Sequence, residues 1–592
     1  MNKKILTVFT VFVLFSTFSV AQQNDSIIKK SVTVEREYIP VIQPAGKIET
    51  SAIVVEPQKT ALDVVYSDFM SPLALGGNVH PLAAATLLYA QPSASRPGFA
   101  RLSAGFYPNT LADFSYPLID RSDMRLDAVV KQKGAYNEKY SMTTSAQLSF
   151  DRFFDNATLF GALNAGYQGV KYYGQNFNAN NEELWLQRLF KEDQYVTYTE
   201  TDFTQIGRAP KFVRIKDLDE ANKFAHFFRL GANAGVRSSE NAENLRYYAL
   251  LKYGLFHNTS GVTEHLINFA GRLDFVFNED RVGLEAQMYN TGYYSKQEIN
   301  FYKKNNVLVL QPYFELNRFE NINVHLGVLA AIGFAGDKKV RLAPDIGLDW
   351  KPLPETLKIY AGIKGKYKVN TMSSLFYENP YLASDVRVRD TYTPLELYGG
   401  LLIKPAAGLL IDVFADYSVT NNEYFFINKA YNNPRGNIYE YKPADSAIYT
   451  NRFDVVYDKS SLLILGGHVS YTYRDKFNVD FTGKYFTGPL KTQAFPWQRP
   501  ELDLNLNASY KVVENINISF TGYYQSGLMA KIGSEPRKMK NRIDLNLGAS
   551  YTWYQWLTLF VTGNNLLNSK YDIYYGYEVQ GINLMLGATM SF

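Results

Sequence analysis

The side chains that most often do chemistry in proteins follow no catalytic or metal-binding spacing in this chain of 592 residues. It has no cysteine, which excludes disulfide bonds, thiolate metal sites, a cysteine nucleophile and a lipid anchor attached to cysteine. It also lacks a phosphate-binding loop and a dinucleotide-binding fingerprint. The six histidines are scattered without the i, i+4 pairing of a helical zinc site: His80, His226, His257, His265, His325 and His468. We therefore expect no cofactor, no metal and no covalent catalysis.

His468 provides the one catalytic alternative. It falls on the polar side of a period-two segment beside Ser470, an arrangement from which a serine, histidine and aspartate hydrolase could be built into a sheet. A solvated histidine on a polar sheet face is the simpler explanation, and we favour it over a hydrolase.

Two groups of charges concentrate on the polar sides of other period-two segments. In an enclosed, water-filled space such rows would bias which solutes pass. The simpler explanation, which we favour, is that neighbouring strands neutralise one another. The candidate charges are Lys358, Lys364, Lys366 and Lys368 on one segment, and Asp412 and Asp416 on another.

Overall charge argues against nucleic acid as a partner. Lys and Arg total 61 against 57 Asp and Glu, a formal net charge of +4. Binding to a phosphate backbone needs a basic excess on one face, which a nearly balanced chain does not suggest. Aromatic residues make up 15% of the chain and favour a sheet-rich fold.

The N-terminus has the pattern of a secretory signal peptide. Lys3 and Lys4 precede an apolar run over residues 5–15, and Ser19-Val20-Ala21 supplies the small residues that signal peptidase accepts. We predict cleavage between Ala21 and Gln22. The apolar run is too short for a membrane-spanning helix, which needs about 20 residues. The chain is therefore predicted to be exported.

Alternation of polar and apolar residues dominates the rest of the chain. The clearest case is the C-terminal segment, whose apolar side alternates with Asn583, Thr589 and Ser591. Its apolar side consists of Ile582, Leu584, Leu586, Ala588, Met590 and Phe592. The polar sides of such segments carry Asp, Asn and Lys in successive rows, as a water-filled interior permits, whereas the other sides are aliphatic and aromatic. This pattern predicts strands with one face in lipid and one in water.

Short and long connections between these segments alternate along the chain. We count about 22 segments, with a plausible range of 14 to 22, and tight turns such as 278–280, 474–476 and 513–515 alternate with mostly longer connections. The longer connections are predicted at 174–225, 371–393, 428–460, 487–500 and 526–541. Antiparallel membrane barrels sort their loops in this way, with short periplasmic turns and long extracellular loops. The predicted fold class is therefore all-β, a transmembrane antiparallel β-barrel.

The C-terminal region resembles the last two strands of TonB-dependent receptors. The resemblance rests on Gly563-Asn564-Asn565-Leu566-Leu567-Asn568, followed by Tyr571, Gly576-Tyr577, Gly581 and the terminal Phe592. It implies a location in the cell outer membrane of a Gram-negative bacterium and a receptor-type barrel over residues 97–592. The terminal strand also resembles the signal read by the barrel-assembly machinery, which is an expected partner alongside outer-membrane lipid.

The N-terminal segment, residues 22–96, departs from that family. It is shorter than the folded plug of such receptors and reads as an extended, proline-punctuated stretch, similar to the leader of plug-less receptor-like barrels. Part of it could pair as a strand with TonB or a partner lipoprotein, although a solvated tether is the simpler explanation. This candidate contact strand is Thr33, Val34, Glu35, Arg36, Glu37 and Tyr38.

The sequence thus predicts a non-enzymatic receptor or transport barrel that passes or captures a solute of unknown identity. A barrel of about 22 strands is wide unless something fills it. The expected fillers are residues 22–96 and the 174–225 connection, in which residues 182–190 could form a short amphipathic helix. The alternative is a non-conducting platform for periplasmic or surface protein partners.

Overall fold

The computed structural model describes most of the chain from Gly98 onward, with gaps in the outer connections. The predicted signal peptide, the predicted contact strand and the 182–190 helix lie outside the described residues. The described residues are 98–174, 177–178, 196–197, 212–213, 224–239, 244–259, 262–295, 304–335, 338–383, 386–431, 448–532 and 535–592.

Twenty-two strands, β1 to β22 in chain order, form the wall of a closed antiparallel barrel. They are Phe99–Gly105, Asn109–Arg121, Met124–Ala135, Ser141–Phe153, Ala157–Lys171, Phe224–Ser238, Leu245–Asn258, Val262–Phe277, Asp280–Ser295, Asn305–Phe319, Ile322–Ala335, Val340–Leu353, Leu357–Lys368, Thr391–Ala406, Leu409–Tyr431, Ile448–Tyr473, Phe477–Thr487, Leu502–Val513, Ile516–Ser526, Arg542–Tyr554, Leu557–Asn564 and Asn583–Ser591. The predicted fold class and strand number are confirmed.

The alternation of the sequence becomes the two faces of this wall. In β22 Leu584, Leu586 and Met590 are exposed on the outer face, while Asn583 and Met585 are buried on the inner face. Lipid tolerates such a band of apolar side chains, and every backbone N–H and C=O in hydrocarbon must be paired. A closed sheet meets that second requirement because it has no free edge.

Ring closure joins the first strand to the last. Phe99 pairs with Ser591 at one end of the β1–β22 seam and Gly105 pairs with Met585 at the other, giving seven residue pairs. One residue further, Gly98 and Phe592 exchange two backbone hydrogen bonds of 2.9 Å. The Phe592 ring stacks on Tyr116 and Phe114, with centroids 5.8 and 6.1 Å apart. The terminal residue therefore completes the seam.

Short turns lie on one side of the barrel, as the parity of the connections predicts. Asn278, between β8 and β9, has φ of 54°, a left-handed conformation that asparagine tolerates well. Gly408, between β14 and β15, has φ of 77°, and a Cβ there would lie 2.0 Å from the Thr472 carbonyl oxygen. Only glycine fits that turn.

The wall is far taller on one side than on the other. Strands β15 and β16 have 23 and 26 residues, whereas β1 and β21 have seven and eight. The predicted connection at 428–460 was therefore wrong in extent, because β15 continues to Tyr431 and β16 begins at Ile448. In the tall part of β15, Tyr424, Phe425 and Phe426 are all buried, so both faces are apolar and the alternation disappears.

A short helix, α1, occupies Met372–Glu378 in the connection between β13 and β14. Thr371 and Ser374 form a capping box at its start, each side chain accepting from the other's backbone N–H. Among the described residues, no helix is long and apolar enough to cross a membrane.

Candidate functional site

The inner face of the barrel is polar and, over strands β8 to β14, largely ion-paired across strands. Arg281 on β9 lies 3.2 Å from Glu315 on β10, and Arg272 on β8 lies 3.2 Å from Glu285 on β9. Such pairs are typical of a wall that borders water and is held neutral by its neighbours.

The predicted lysine row lies on this inner face, and three of its four lysines form ion pairs with carboxylates. Lys358 Nζ is 2.9 Å from Asp349 Oδ2. Lys364 and Lys366 lie 3.4 and 2.6 Å from the carboxylate oxygens of Glu396, which is buried. The fourth, Lys368, donates a hydrogen bond of 3.2 Å to the Tyr424 hydroxyl. The arrangement matches the neutralised wall that the sequence analysis favoured.

The two predicted aspartates lie on the same inner face of β15. Asp412 accepts a 2.8 Å hydrogen bond from the Tyr360 hydroxyl, and Asp416 lies opposite Tyr398 of β14. Across β15 and β16, Asp412 faces His468, which contacts Asp480 Oδ2 at 2.8 Å. Among the described residues, no group of three or more His, Asp or Glu side chains is placed to hold a metal ion.

Two outer connections fold inward and meet inside the mouth of the barrel. We call them the cap: residues 369–383 and 386–390 between β13 and β14, and residues 565–582 between β21 and β22. They pack against inward-facing side chains at the outer ends of several strands. These include Val170, Ala225, Phe227, Phe256 and Val262 on β5 to β8, and Tyr424, Phe426, Phe453 and Val455 on β15 and β16.

A buried carboxylate from the wall holds the start of α1. Glu264 on β8 accepts hydrogen bonds from the backbone N–H groups of Met372 at 2.5 Å and Ser373 at 3.2 Å. Its side chain is 2% exposed. The first N–H groups of a helix have no partner within the helix, and a negative charge is favourable there. Glu264 therefore anchors the cap to a strand far from it in sequence.

Stacked tyrosines join the two halves of the cap. The rings of Tyr381 and Tyr577 stack with centroids 3.7 Å apart, and Tyr574 donates a 2.7 Å hydrogen bond to the backbone carbonyl of Glu378. Burial raises the pKa of Tyr381 to about 12 and raises the pKa of Tyr577. The Tyr577 hydroxyl donates a hydrogen bond to the Asn451 carbonyl at 2.5 Å.

Contacts of the cap region also connect opposite walls. Strands β5 and β16 are eleven apart in a ring of 22, yet Asn451 Nδ2 donates a 3.0 Å hydrogen bond to the Tyr172 carbonyl just after β5. The two-residue strand Phe177–Asn178 pairs with Ile448 and Tyr449 of β16. Backbone bonds of 2.9 and 3.0 Å tie Phe453 to Ala383 and Tyr381. Within the described residues, the mouth is thus bridged from side to side.

Arg542 supports the second half of the cap from below. This buried side chain on β20 donates to the backbone carbonyls of Asp572 at 2.9 Å and Ile573 at 2.5 Å, and to Gln525 at 2.9 Å. A guanidinium has several fixed donors, which suits it to holding two carbonyls of one turn.

Sequence reasoning did not find the cap. The fillers that it proposed, residues 22–96 and most of 174–225, lie outside the described residues. The connection between β13 and β14 was predicted only as a long loop, although Thr371 and Ser374 are a local signal for a helix start. The contacts of Glu264 and of the tyrosine pair join residues more than a hundred positions apart. No local pattern indicates such pairs.

A closed 22-stranded wall with a polar interior defines the class, an all-β transmembrane barrel like those of the TonB-dependent receptors. Solved siderophore receptors share this fold with the chain. PirA from Acinetobacter baumannii matches at a TM-score of 0.59 and 9% identity, covering 84% of this chain and 80% of the receptor. The ferric enterobactin receptor PfeA from Pseudomonas aeruginosa matches at 0.57 and 11%, covering 84% and 80%.

A third solved structure gives the same result. The pyoverdine outer-membrane receptor FpvA from Pseudomonas aeruginosa PAO1, bound to pyoverdine, matches at a TM-score of 0.56 and 12% identity, covering 85% of this chain and 80% of the receptor. The predicted resemblance is confirmed at the level of the fold. Neither a protein-family model nor a curated protein matches the sequence.

Proposed function

We propose that this chain is an outer-membrane receptor barrel that captures a solute and passes it, with the cap as the gate of its mouth. The observation that carries the proposal is the combination of a polar lumen with a mouth that, over the described residues, is closed by packing, hydrogen bonds and the ion pair of Lys139 with Glu578. Solved structures of similar fold are named as siderophore receptors, which supports a receptor role. Catalysis has no part in this function.

Passage requires the cap to leave the mouth, so the contacts between its halves set how often the barrel is open. The stacked pair of Tyr381 and Tyr577 is central to them, with 7% and 0% of each residue exposed. Truncating a buried aromatic side chain costs about 3–5 kcal/mol. Losing two in one contact is expected to free the cap without touching the lipid-facing wall.

Conductance in planar lipid bilayers tests the gate. We expect the double variant Tyr381→Ala with Tyr577→Ala to open at least ten times more often than the unaltered barrel. The matched control is Tyr253→Ala with Tyr510→Ala, which removes two tyrosines from the lipid-facing surface. A cap variant that folds normally and stays as silent as the control would overturn the proposal.

A second function, a non-conducting platform for protein partners, is favoured by one observation. The bridge between β5 and β16 and the cap together close the mouth over the described residues. A barrel that conducts in neither form but co-purifies with periplasmic or surface proteins would favour the platform.

The remaining sequence predictions complete this proposal. The chain is exported through a signal peptide cleaved after Ala21, and residues 22–96 precede a barrel over 97–592 in the cell outer membrane. Thr33 to Tyr38 offer an extended strand to TonB or a partner lipoprotein. The inner lysines and aspartates described above, Lys358, Lys364, Lys366, Lys368, Asp412 and Asp416, belong to the neutralised lining of the lumen. The terminal strand is recognised by the barrel-assembly machinery.

A further inference from the structure

The inner face of strands β3 to β7 differs from the ion-paired wall of β8 to β14. Two lysines, Lys131 on β3 and Lys252 on β7, are exposed on this face. Above residue 128 on β3, and at the matching height on β4 to β7, the described strands contain neither Asp nor Glu. The one carboxylate directly across from Lys131 or Lys252 is Asp113 on β2.

The residues across from each lysine are neutral or already paired. Lys252 lies opposite Asn233 and Asn268. Lys131 lies opposite Ser145 on one side and Asp113 on the other, but Arg101 holds that aspartate at 2.5 Å. On the other wall, by contrast, Lys358 has a carboxylate at 2.9 Å.

Arg229 on β6 adds a third cation at the outer end of this face. Its Nη1 donates to Gln168 at 3.1 Å, and its guanidinium stacks on Phe256 and on Tyr377 of α1, 5.3 and 5.8 Å from the ring centroids. Its Nε and Nη2 atoms are buried without a hydrogen-bond partner. This site thus combines exposed cations with unused donors, and its outer end touches the cap.

Between the cations the wall is small and uncharged. Lys131 and Arg229 stand in one row of the sheet, linked through Ser145 and Gly166. At a strand spacing of about 4.8 Å, three steps place their backbones about 14 Å apart. The floor between them carries hydroxyl and amide groups with two glycines, namely Ser145, Gln147, Asn164, Gly166, Gly231 and Asn233.

We propose that this surface, which we call the basic trough, binds a soluble oligoanion that carries two or more carboxylate, phosphate or sulfate groups. Lys131, Lys252 and Arg229 bind the anionic groups, while the hydroxyls and amides of the floor bind the polar body of the molecule. Cations flanking a polar floor favour an extended anion over a single ion, because separated charges can be met at once. The inference rests on the proposed function, since it names the class of solute.

Calorimetric titration of the whole folded chain in detergent tests the trough. The probes are inositol hexakisphosphate for phosphate, trigalacturonate for carboxylate, and neutral maltotriose. We expect binding of at least one anionic probe, no binding of maltotriose, and weaker binding at higher salt because exposed charges are screened. The double variant Lys131→Gln with Lys252→Gln is expected to bind at least tenfold more weakly.

The matched control removes two inner lysines from the opposite side of the ring. It is Lys484→Gln with Lys511→Gln, whose lysines have carboxylates nearby in Asp503 and Glu514. Failure of both anions to bind, or equal weakening in the control, overturns the inference. Conductance without anion binding refutes the trough and leaves the proposed function, whereas binding to a barrel whose cap variant stays silent refutes the function and leaves the trough.

Discussion

At the residue scale, the most informative position is Glu264, a charged side chain that the sequence analysis passed over. A buried carboxylate is costly unless hydrogen bonds satisfy it, and here they come from the first turn of a helix in another part of the chain. The carboxylate of Glu264 therefore links the barrel wall to the cap through hydrogen bonds. The N–H groups of α1 offset part of the cost of burying this carboxylate only while the helix stays in place.

Glu264→Gln is expected to loosen the cap while leaving the barrel folded. The amide keeps one acceptor but presents an NH₂ group and no charge to the helix N–H groups. Hydrogen bonds to charged groups contribute about 1.5–3 kcal/mol, so protection of the 372–378 amides from hydrogen exchange should fall at least tenfold. The measurement is hydrogen exchange followed by mass spectrometry.

The control for this substitution is Glu285→Gln, which alters an inner glutamate of β9 that pairs with Arg272 and does not touch the cap. Unchanged protection of α1 in Glu264→Gln, or an equal loss in Glu285→Gln, would show that Glu264 does not anchor the helix.

At the element scale, strands were predictable and the cap was not. The terminal strand was predictable because Leu584, Leu586 and Met590 alternate with polar residues. This alternation follows from lipid contact on one face of the strand only. The outer part of β15 lost the period because the cap covers its inner face while Arg499 lies over the Phe425 ring. Predicting it required contacts from elsewhere in the chain.

The candidate charges show a similar limit. The sequence placed Lys364 and Lys366 correctly on one face, since their spacing is two. Their shared partner, Glu396, lies directly opposite Lys364 on the next strand, and a register shift after that pair places Lys366 opposite Thr393 while its side chain still reaches Glu396. Bulges of this kind are set by pairing across strands, so composition and alternation do not reveal them.

The seam between β1 and β22 depends on the terminal aromatic residue. Deleting Phe592 removes two backbone hydrogen bonds and two ring contacts at the end of a seam of seven pairs. Unpaired backbone groups cost several kcal/mol each in lipid, so we expect the folded fraction to fall at least severalfold. The measurement is the gel-mobility difference between folded and heat-denatured barrel after expression in cells.

Two substitutions calibrate this experiment. Phe592→Ala keeps the backbone bonds and is expected to show a smaller loss than the deletion. Phe269→Ala removes a lipid-facing phenylalanine of equal exposure, 47%, away from the seam, and should assemble normally. Normal insertion of the deletion variant would contradict the role given to Phe592.

At the scale of the whole molecule, the wall is complete without the N-terminal segment. Strand β1 begins at Phe99 and the seam closes from there, so a chain lacking residues 22–96 should still fold. We predict that this deletion raises conductance, and most clearly when Tyr381→Ala and Tyr577→Ala free the cap as well. Planar-bilayer recordings of the deletion, the cap variant and their combination measure both effects.

If the combined variant conducts no better than the cap variant alone, residues 22–96 do not obstruct the lumen. If the deletion prevents folding, residues 22–96 contribute to folding in a way that the closed β1–β22 seam does not indicate. The comparison therefore distinguishes a lumen blocked by residues 22–96 from a mouth closed by the cap.

The position of the cap in the chain imposes an order on biogenesis. One half of the cap hangs between β21 and β22, and its partners come from β5 to β8, β15, β16 and β20. These surfaces converge only after the ring has closed, so docking of the cap is necessarily a late event. A barrel inserted before its cap has docked would therefore have an open pore. Leakage through that pore is avoided only if the cap docks as soon as the barrel is inserted.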